Sequence, residues 1–164
     1  MGTSGRYKVL TGGVLVGLLA GGLVACARTY DRAKLEGTWD CTTPWTWDKK
    51  DGASVPCSAE VHVTCQDEKF SATSVISLGD AQWDETSAGI CLVDGEELHG
   101  TRSSVQTTPR NDAARQFERD RLGGRGLSDT SSGPTEYRVR IVSLSETQLV
   151  HINQEGRTTT CRRP

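Results

Sequence analysis

The sequence has few large apolar side chains and no surplus of positive charge. Its 164 residues include four Trp, three Tyr, two Phe and one Met, against 18 Gly. This composition disfavours a helical bundle and favours pleated strands joined by turns. The formal net charge of -2 argues against a nucleic-acid binder, because neutralising phosphates requires a basic face. The length allows one domain with a tail.

The uncharged run over residues 9–25 is too short and too rich in glycine for a typical transmembrane helix. It has 17 residues, five of them Gly, whereas a spanning helix needs about 20 apolar residues. The run follows Arg6 and Lys8 and ends just before Cys26. This is the layout of a secretory signal peptide, so we expect residues 1–25 to be removed on export.

Residues 23–26, Leu-Val-Ala-Cys, resemble the lipobox of bacterial lipoproteins. The resemblance implies that a diacylglyceryl group is transferred to the Cys26 thiol, that the chain is cleaved before Cys26, and that the new amine is acylated. Ala27 is not Asp, which by the same resemblance implies an outer-membrane lipoprotein that faces the periplasm. Residues 26–34 would then be the lipidated cysteine and a polar tether. The alternative is ordinary secretion with cleavage after residue 25 or 27.

The remaining residues, 35–164, have the alternation of a β domain. Apolar and polar residues alternate over 35–43, before Pro44 disturbs the pattern, and again over 59–66. Short runs of this kind, separated by Gly, Asp and Ser clusters, predict an antiparallel β-barrel or sandwich of about eight strands. The predicted strands are 35–43, 59–66, 70–78, 89–93, 97–105, 136–144, 148–153 and 157–162.

One segment, the insertion 108–134, interrupts these strands. Residues 111–122 contain good helix formers, with Asn111 as a possible N-cap and two glycines as a stop signal, and predict one short helix. The glycine- and serine-rich stretch that follows predicts a loop, so we expect the insertion to be the most mobile part. Acids alternate with its arginines, which favours a solvated helix face over an anion-binding surface.

Residues 35–39, Leu-Glu-Gly-Thr-Trp, resemble the G-x-W signature of lipocalin-type barrels. The resemblance implies that Trp39 closes one end of a barrel and packs against a basic residue of the last strand. Arg157 and Arg162 are the candidates for that residue. An arginine stem over a buried indole is also a favourable contact in general.

Two further tryptophans, Trp45 and Trp47, point to the same side as Trp39 if the first strand continues. The three rings could line a pocket or the mouth of a barrel, and we take them as candidate ligand contacts. The alternative is packing within the core, because aromatic residues supply most of the large apolar area of this chain.

Five cysteines follow Cys26, and an exported chain folds where thiols oxidise. The first and last strands of a closed barrel are neighbours, which favours a disulfide between Cys41 and Cys161. Cys65 with Cys91 is the second predicted pair, and Cys41 with Cys65 is the rival. An odd thiol would remain, and spacing alone does not fix the connectivity.

The sequence contains no catalytic motif. It has no G-x-S-x-G, no phosphate-binding glycine loop and no short zinc-ligand pair. His62, His99 and His151 lie in different predicted strands, so a zinc or copper site built from them is the less favoured interpretation. We therefore expect a protein that is not an enzyme and that uses no cofactor or metal.

These observations favour an envelope lipoprotein whose lipocalin-like β domain binds a small apolar or amphipathic ligand. Its expected partners are the membrane, through the lipid on Cys26, and that ligand, with no nucleic acid. The alternative is an inhibitor or immunity protein that binds a cell-wall hydrolase or toxin in the periplasm through loops or the insertion. A cavity open at one end would favour the first hypothesis over the second.

Overall fold

Eight antiparallel strands close into a barrel, which confirms the predicted fold class. The computed structural model describes residues 29–49, 52–130 and 135–164, so the predicted signal peptide 1–25 and Cys26 lie outside the described residues. Each strand pairs with the next, and β8 pairs with β1. The strands are β1 (Gly37–Asp48), β2 (Ser54–Gln66), β3 (Lys69–Leu78), β4 (Ala81–Asp94), β5 (Glu97–Pro109), β6 (Thr135–Leu144), β7 (Gln148–Asn153) and β8 (Thr158–Arg162).

Strand β1 continues through Pro44, where the sequence analysis expected a disturbance. Pro44 lies opposite Ser58 of β2, and the described ladder between β1 and β8 ends at Thr42. Pro44 therefore lies where β1 is an edge on its β8 side, and a missing N–H is tolerated at an edge.

The barrel wall is taller on one side than on the other. Strands β1 to β5 have 10 to 14 residues, whereas β7 and β8 have six and five. The ladder between β5 and β6 reaches Arg102, so residues 103–109 of β5 rise above β6. We call the end where β1 and β5 finish the open end, and the opposite end, where β1 begins, the closed end.

The closed end holds the main hydrophobic core. Leu35, Trp39, Ile141, Leu149 and Cys161 are each at most 3% exposed there. The indole Nε1 of Trp39 donates a hydrogen bond to the Leu35 carbonyl over 2.8 Å. The buried ring thus keeps its polar atom satisfied while it closes the barrel floor.

Part of the predicted tether 26–34 belongs to the barrel. Residues Arg32–Lys34 form a 3-10 turn capped by Asp31, and the Tyr30 ring packs against the core at the closed end. The Tyr30 hydroxyl donates to the Val142 carbonyl over 3.0 Å. The sequence pattern predicts a domain that begins at residue 35, because Tyr30 lies among charged residues, outside any apolar period.

The basic residue that covers Trp39 is Arg163. Its guanidinium carbon lies 4.2 Å from the centre of the indole ring. Its Nη2 donates to the carbonyls of Lys34 over 2.9 Å and Glu36 over 2.7 Å. The arginine therefore joins the end of the chain to the turn that precedes β1.

The predicted partners of Trp39, Arg157 and Arg162, were wrong. Side chains alternate along β8, and because Cys161 is buried its neighbour Arg162 is exposed. Arg163 follows one position later and returns to the inner side. Arg157 lies at the other end of β8, near the open end.

The predicted helix is present as α1 (Asp112–Leu122). The Asn111 side chain accepts a hydrogen bond from the Ala114 amide over 3.0 Å, and Gly123 ends the helix with φ +63°. Ala114 and Phe117 pack on Trp83 of β4, which is fully buried. The helix thus forms a second, smaller core at the open end. No helix in the described ranges is long and apolar enough to cross a membrane.

Candidate ligand-binding cavity

A cavity of about 450 Å³ occupies the barrel interior and is partly open to solvent. Its volume falls within the range of about 300–1,000 Å³ that is typical of small-molecule sites. The barrel is therefore not filled by its own side chains. The part of the lining nearer the closed end is apolar and includes Leu35, Trp39, Val61, Val63, Phe70, Leu98, Val139 and Leu149.

Polar side chains line the cavity nearer the open end. We call this set the polar rim; it consists of Glu85, Arg102, His151, Asn153 and Arg157. Inward-facing positions follow one another along a strand at a spacing of two, and the residues of the polar rim occupy those that come after the apolar positions in the direction of the open end. On β7, for example, His151 and Asn153 follow the buried Leu149. The cavity is thus amphipathic along the barrel axis.

The carboxylate of the polar rim has a cationic partner. Glu85 Oε1 lies 3.7 Å from Arg102 Nη1, and the Glu85 side chain is only 12% exposed. Ser74 Oγ donates to the same Glu85 oxygen over 3.4 Å. The pair lies across the neighbouring strands β4 and β5. Arg102 therefore balances the negative charge that Glu85 brings into the cavity.

A second arginine of the polar rim lies against an aromatic ring. The guanidinium carbon of Arg157 is 5.0 Å from the centre of the Trp45 ring, which is within cation–π distance. Arg157 Nη2 also lies 2.8 Å from Oε2 of Glu155, whose side chain is 63% exposed. Trp45 and Arg157 together offer an apolar face and a positive charge beside the opening.

His151 is the residue of the polar rim with an unmet hydrogen-bonding atom. In the described part of the chain, its Nδ1 is buried and has no hydrogen-bond partner. Burial lowers the pKa of His151 from 6.5 to about 4, so the imidazole is neutral at physiological pH. Leaving such an atom unpaired costs about 1–3 kcal/mol. An occupant with a polar group at this level would remove that cost.

The three predicted tryptophan contacts occupy different places. Trp39 and Trp45 line the cavity, at the floor and near the opening. Trp47 instead packs edge-on against Phe117 of α1, with ring centres 6.2 Å apart, and is 37% exposed. Trp47 therefore lies outside the cavity lining, because at this residue the strand has reached the level of the helix.

The cysteines form one disulfide within the described residues. Cys41 and Cys161 are joined, which is the pair predicted from the adjacency of the first and last strands. Cys57, Cys65 and Cys91 are buried thiols. The predicted bond between Cys65 and Cys91 is absent. These residues lie on β2 and β4, which flank β3, and strands two places apart are separated by about 9–10 Å, beyond the usual reach of a disulfide.

The thiols of Cys65 and Cys91 nevertheless meet in the cavity lining. A hydrogen bond with Cys91, together with burial, raises the pKa of Cys65. The same hydrogen bond lowers the pKa of Cys91, and the charge of Arg32 contributes in the same direction. The two sulfur atoms thus lie within hydrogen-bonding distance of each other near the cavity floor.

The three histidines do not converge. His62 lies on the outer surface, where Nδ1 is 2.6 Å from Oδ1 of Asp40, while His99 pairs across the sheet with Arg138. Only His151 lines the cavity. In the described ranges no group of three or more His, Cys, Asp or Glu side chains is placed to hold a metal ion.

The polar rim is not among the sites predicted from the sequence. The alternation of the strands nevertheless contains a signal. Arg102 lies two residues after Gly100 on β5, and His151 lies two residues after Leu149 on β7, so both are in an inward register. Polar residues in an inward register indicate either a wet cavity or a buried network. Without the side-chain packing, those residues resemble ordinary surface positions of short strands.

Comparison with known proteins adds a similarity to solved structures. No family model and no curated protein matches the chain. Among solved structures, it is similar to a lipocalin-like protein from Bacteroides uniformis ATCC 8492, with 18% sequence identity and a TM-score of 0.41. The match covers 80% of this chain and 99% of that chain. The functional proposal therefore rests on the cavity.

Proposed function

We propose that this protein is a lipid-anchored envelope protein whose barrel binds a small amphipathic molecule without catalysing its conversion. The observation that carries this proposal is the cavity, which is partly open to solvent and has an apolar floor and a polar rim. Burial of an apolar tail contributes about 25 cal/mol per Å². A few polar groups at the opening then fix the orientation of the ligand.

The floor of the cavity supports a lipocalin-like mode of binding. Trp39 is buried under Arg163, an arrangement of the kind that the G-x-W resemblance implies. Arg163 follows directly after β8, and the disulfide between Cys41 and Cys161 lies beside this contact. A rigid closed end of this kind leaves the opposite end as the route for a ligand.

The leader supports attachment at Cys26, and the fold suggests an orientation for it. The chain joins the barrel at the closed end, where the Tyr30 amide donates to the Gly95 carbonyl over 3.3 Å. Two residues lie between Cys26 and Thr29, so the two positions are at most about 11 Å apart along the chain. A lipid on Cys26 would hold the closed end near the outer membrane, and the open end would face the periplasm.

Binding is tested by filling the cavity from one wall. Ala72 of β3 lines the cavity, and its neighbour Ser71 is exposed on the opposite face of the same strand. The mature protein, extracted in detergent, is titrated with a naphthalene sulfonate dye that fluoresces in apolar surroundings. We expect binding by the wild type, at least about ten-fold weaker binding by Ala72→Phe, and no change in Ser71→Phe.

Circular dichroism spectra of the three proteins check that each barrel is folded. The proposal fails if the wild type does not bind the dye, or if both variants bind it as the wild type does. Attachment is tested separately by labelling cells with radioactive palmitate. Label should appear in the wild type and be lost in Cys26→Ser.

A further inference from the structure

The cavity lining is more positive than the rest of the protein. The chain has a formal net charge of -2. Of the described residues that line the cavity, the fully charged ones are Glu85, Arg102 and Arg157. Glu85 and Arg102 are paired within the lining, whereas the partner of Arg157, Glu155, lies outside it, so the lining itself carries one more positive than negative side chain. An acidic protein with a cationic cavity is expected to favour anions at that place.

The partner of Arg157 can be displaced by a ligand. Glu155 lies in the turn between β7 and β8, and its side chain is 63% exposed. Exposed ion pairs contribute about 0–1 kcal/mol, because water screens both charges. The Trp45 ring holds the guanidinium at the opening, so its remaining donors can reach an anion without a large loss of side-chain entropy.

His151 adds a second polar contact one inner position nearer the floor than Arg157, because His151 lies opposite Thr159 whereas Asn153 lies beside Arg157. Its partnerless Nδ1 is buried in the lining, opposite Thr159 of β8 and Ile141 of β6. Thr159 Oγ1 is already hydrogen-bonded to Thr43 Oγ1 over 2.7 Å. A headgroup oxygen that accepts a hydrogen bond from the Nδ1–H of neutral His151 would therefore satisfy an atom that its neighbours leave unpaired.

We infer that the ligand is an amphiphile with an anionic carboxylate or phosphate headgroup, which Arg157 and His151 hold while its apolar tail occupies the floor. The inference rests on the proposed binding function and adds the charge of the ligand to it. Guanidinium donors bind such oxygens with charge-assisted hydrogen bonds, which are stronger than bonds between neutral groups. Arg102 stays paired with Glu85 and completes the rim.

The inference is tested with three probes that share one tail length. Decanoate, decanol and decyltrimethylammonium are titrated into the mature protein at neutral pH and followed by calorimetry. We expect decanoate to bind at least about ten-fold more tightly than decanol, and the cation to bind most weakly. Decyl phosphate, tested in the same way, distinguishes a phosphate preference from a carboxylate preference.

Variants locate the headgroup. Arg157→Gln should weaken decanoate binding about ten-fold and leave decanol binding unchanged, because only the anion uses the charge. Arg157→Lys should recover part of the loss. The matched control is Arg138→Gln, since Arg138 lies on the outer face, is 60% exposed and pairs with Glu97 over 2.7 Å. This control should bind all probes as the wild type does.

The outcomes separate the two proposals. If no probe binds, the proposed function itself fails. If decanol binds as tightly as decanoate, or if the cation binds best, the cavity binds amphiphiles but the inference of an anionic headgroup is overturned. The same conclusion follows if Arg157→Gln and Arg138→Gln have equal effects on decanoate. The ranking of the probes on the wild type needs no variant to fold.

Discussion

At the scale of single residues, His151 links the cavity to the pH dependence of stability. Burial holds its pKa at about 4, below the ordinary value of 6.5. As the pH falls through 6.5, the unfolded chain therefore binds a proton at this site before the folded chain does. Stability is fully present above about pH 6.5 and is lost progressively as the pH falls toward 4.

We predict that His151→Leu removes this loss. A shift of this size corresponds to about 3 kcal/mol in the free energy of unfolding between neutral pH and pH 4. Urea unfolding at neutral pH and near pH 4.5 should show a smaller decline in the variant than in the wild type. The carboxylates titrate in both proteins, so the comparison isolates His151. Equal declines would contradict the assignment of a buried, neutral imidazole.

Two arginines show how far residue-level reasoning reaches from sequence. A basic partner for Trp39 was expected from the last strand, and the structure supplies Arg163. The candidates Arg157 and Arg162 were wrong because the register of β8 was unknown, and a shift of one position moves a side chain to the opposite face. The buried Cys161, which lies opposite Cys41, defines which side chains of β8 face inward. From the sequence alone, the pairing of these two cysteines is itself a prediction.

At the scale of elements, α1 covers the aromatic residues of the open end. The Phe117 ring packs edge-on against Trp83, with centres 5.5 Å apart, and also contacts Trp47. Glu118 Oε1 accepts hydrogen bonds from Trp83 Nε1 over 2.9 Å and from the Leu127 amide over 3.3 Å. The helix therefore keeps Trp83 away from water while the barrel below it remains closed by its own ladders.

We predict that Phe117→Ala detaches the helix without opening the barrel. Removing the half-buried ring should cost about 2 kcal/mol and expose Trp83, which is fully buried in the wild type. The fluorescence emission should shift to longer wavelength, while the strand signal in circular dichroism stays unchanged. Arg119→Ala, at an exposed position of the same helix, is the control. Identical spectra for both variants would contradict the packing described.

The order of the eight strands and the helix could be predicted from the sequence, but the residues at which several strands begin or end could not. The helix was found because Asn111 and Gly123 mark its ends with specific chemistry. Strands β1, β2 and β4 extend beyond the predicted segments, up to Asp48 for β1 and back to Ala81 for β4. These extensions form the tall part of the wall, where inner positions face a wet opening or α1 and the apolar alternation is lost.

At the scale of the whole molecule, the disulfide joins the two ends of the β-sheet. Cys41 and Cys161 are 120 residues apart, and they connect β1 to β8 where the ladder between these strands is short. A crosslink across so long a loop restricts the unfolded chain and is expected to contribute about 5 kcal/mol on the chain-entropy model. The short seam of the barrel thus gains covalent support.

We predict that the double variant Cys41→Ser, Cys161→Ser loses about 5 kcal/mol of unfolding free energy. The measurement is urea unfolding without reductant. Cys57→Ser is the control, because Cys57 is a buried free thiol whose hydrogen bond to the Val55 carbonyl a serine can keep. Addition of reductant should bring the wild type to the level of the double variant. A loss no larger than that of Cys57→Ser would contradict this role.

The closed barrel and this disulfide could be predicted from the sequence, whereas the presence of a cavity could not. Alternation and turn signals define eight strands, and closure makes the first and last strands neighbours. Whether a barrel interior is solid or hollow depends on the volumes of many inward side chains together. Small residues at inner positions, such as Ala72 and Ser87, leave the space, and only the folded structure shows that no larger neighbour fills it.

The bond between Cys41 and Cys161 also turns residues 41–161 into a covalent loop. A protease that cuts once within this loop, for example in the connection between α1 and β6, releases no fragment. The nicked protein gains only the mass of one water molecule and migrates as two pieces only after reduction. A single cut in this loop would therefore leave the two parts of the barrel covalently joined.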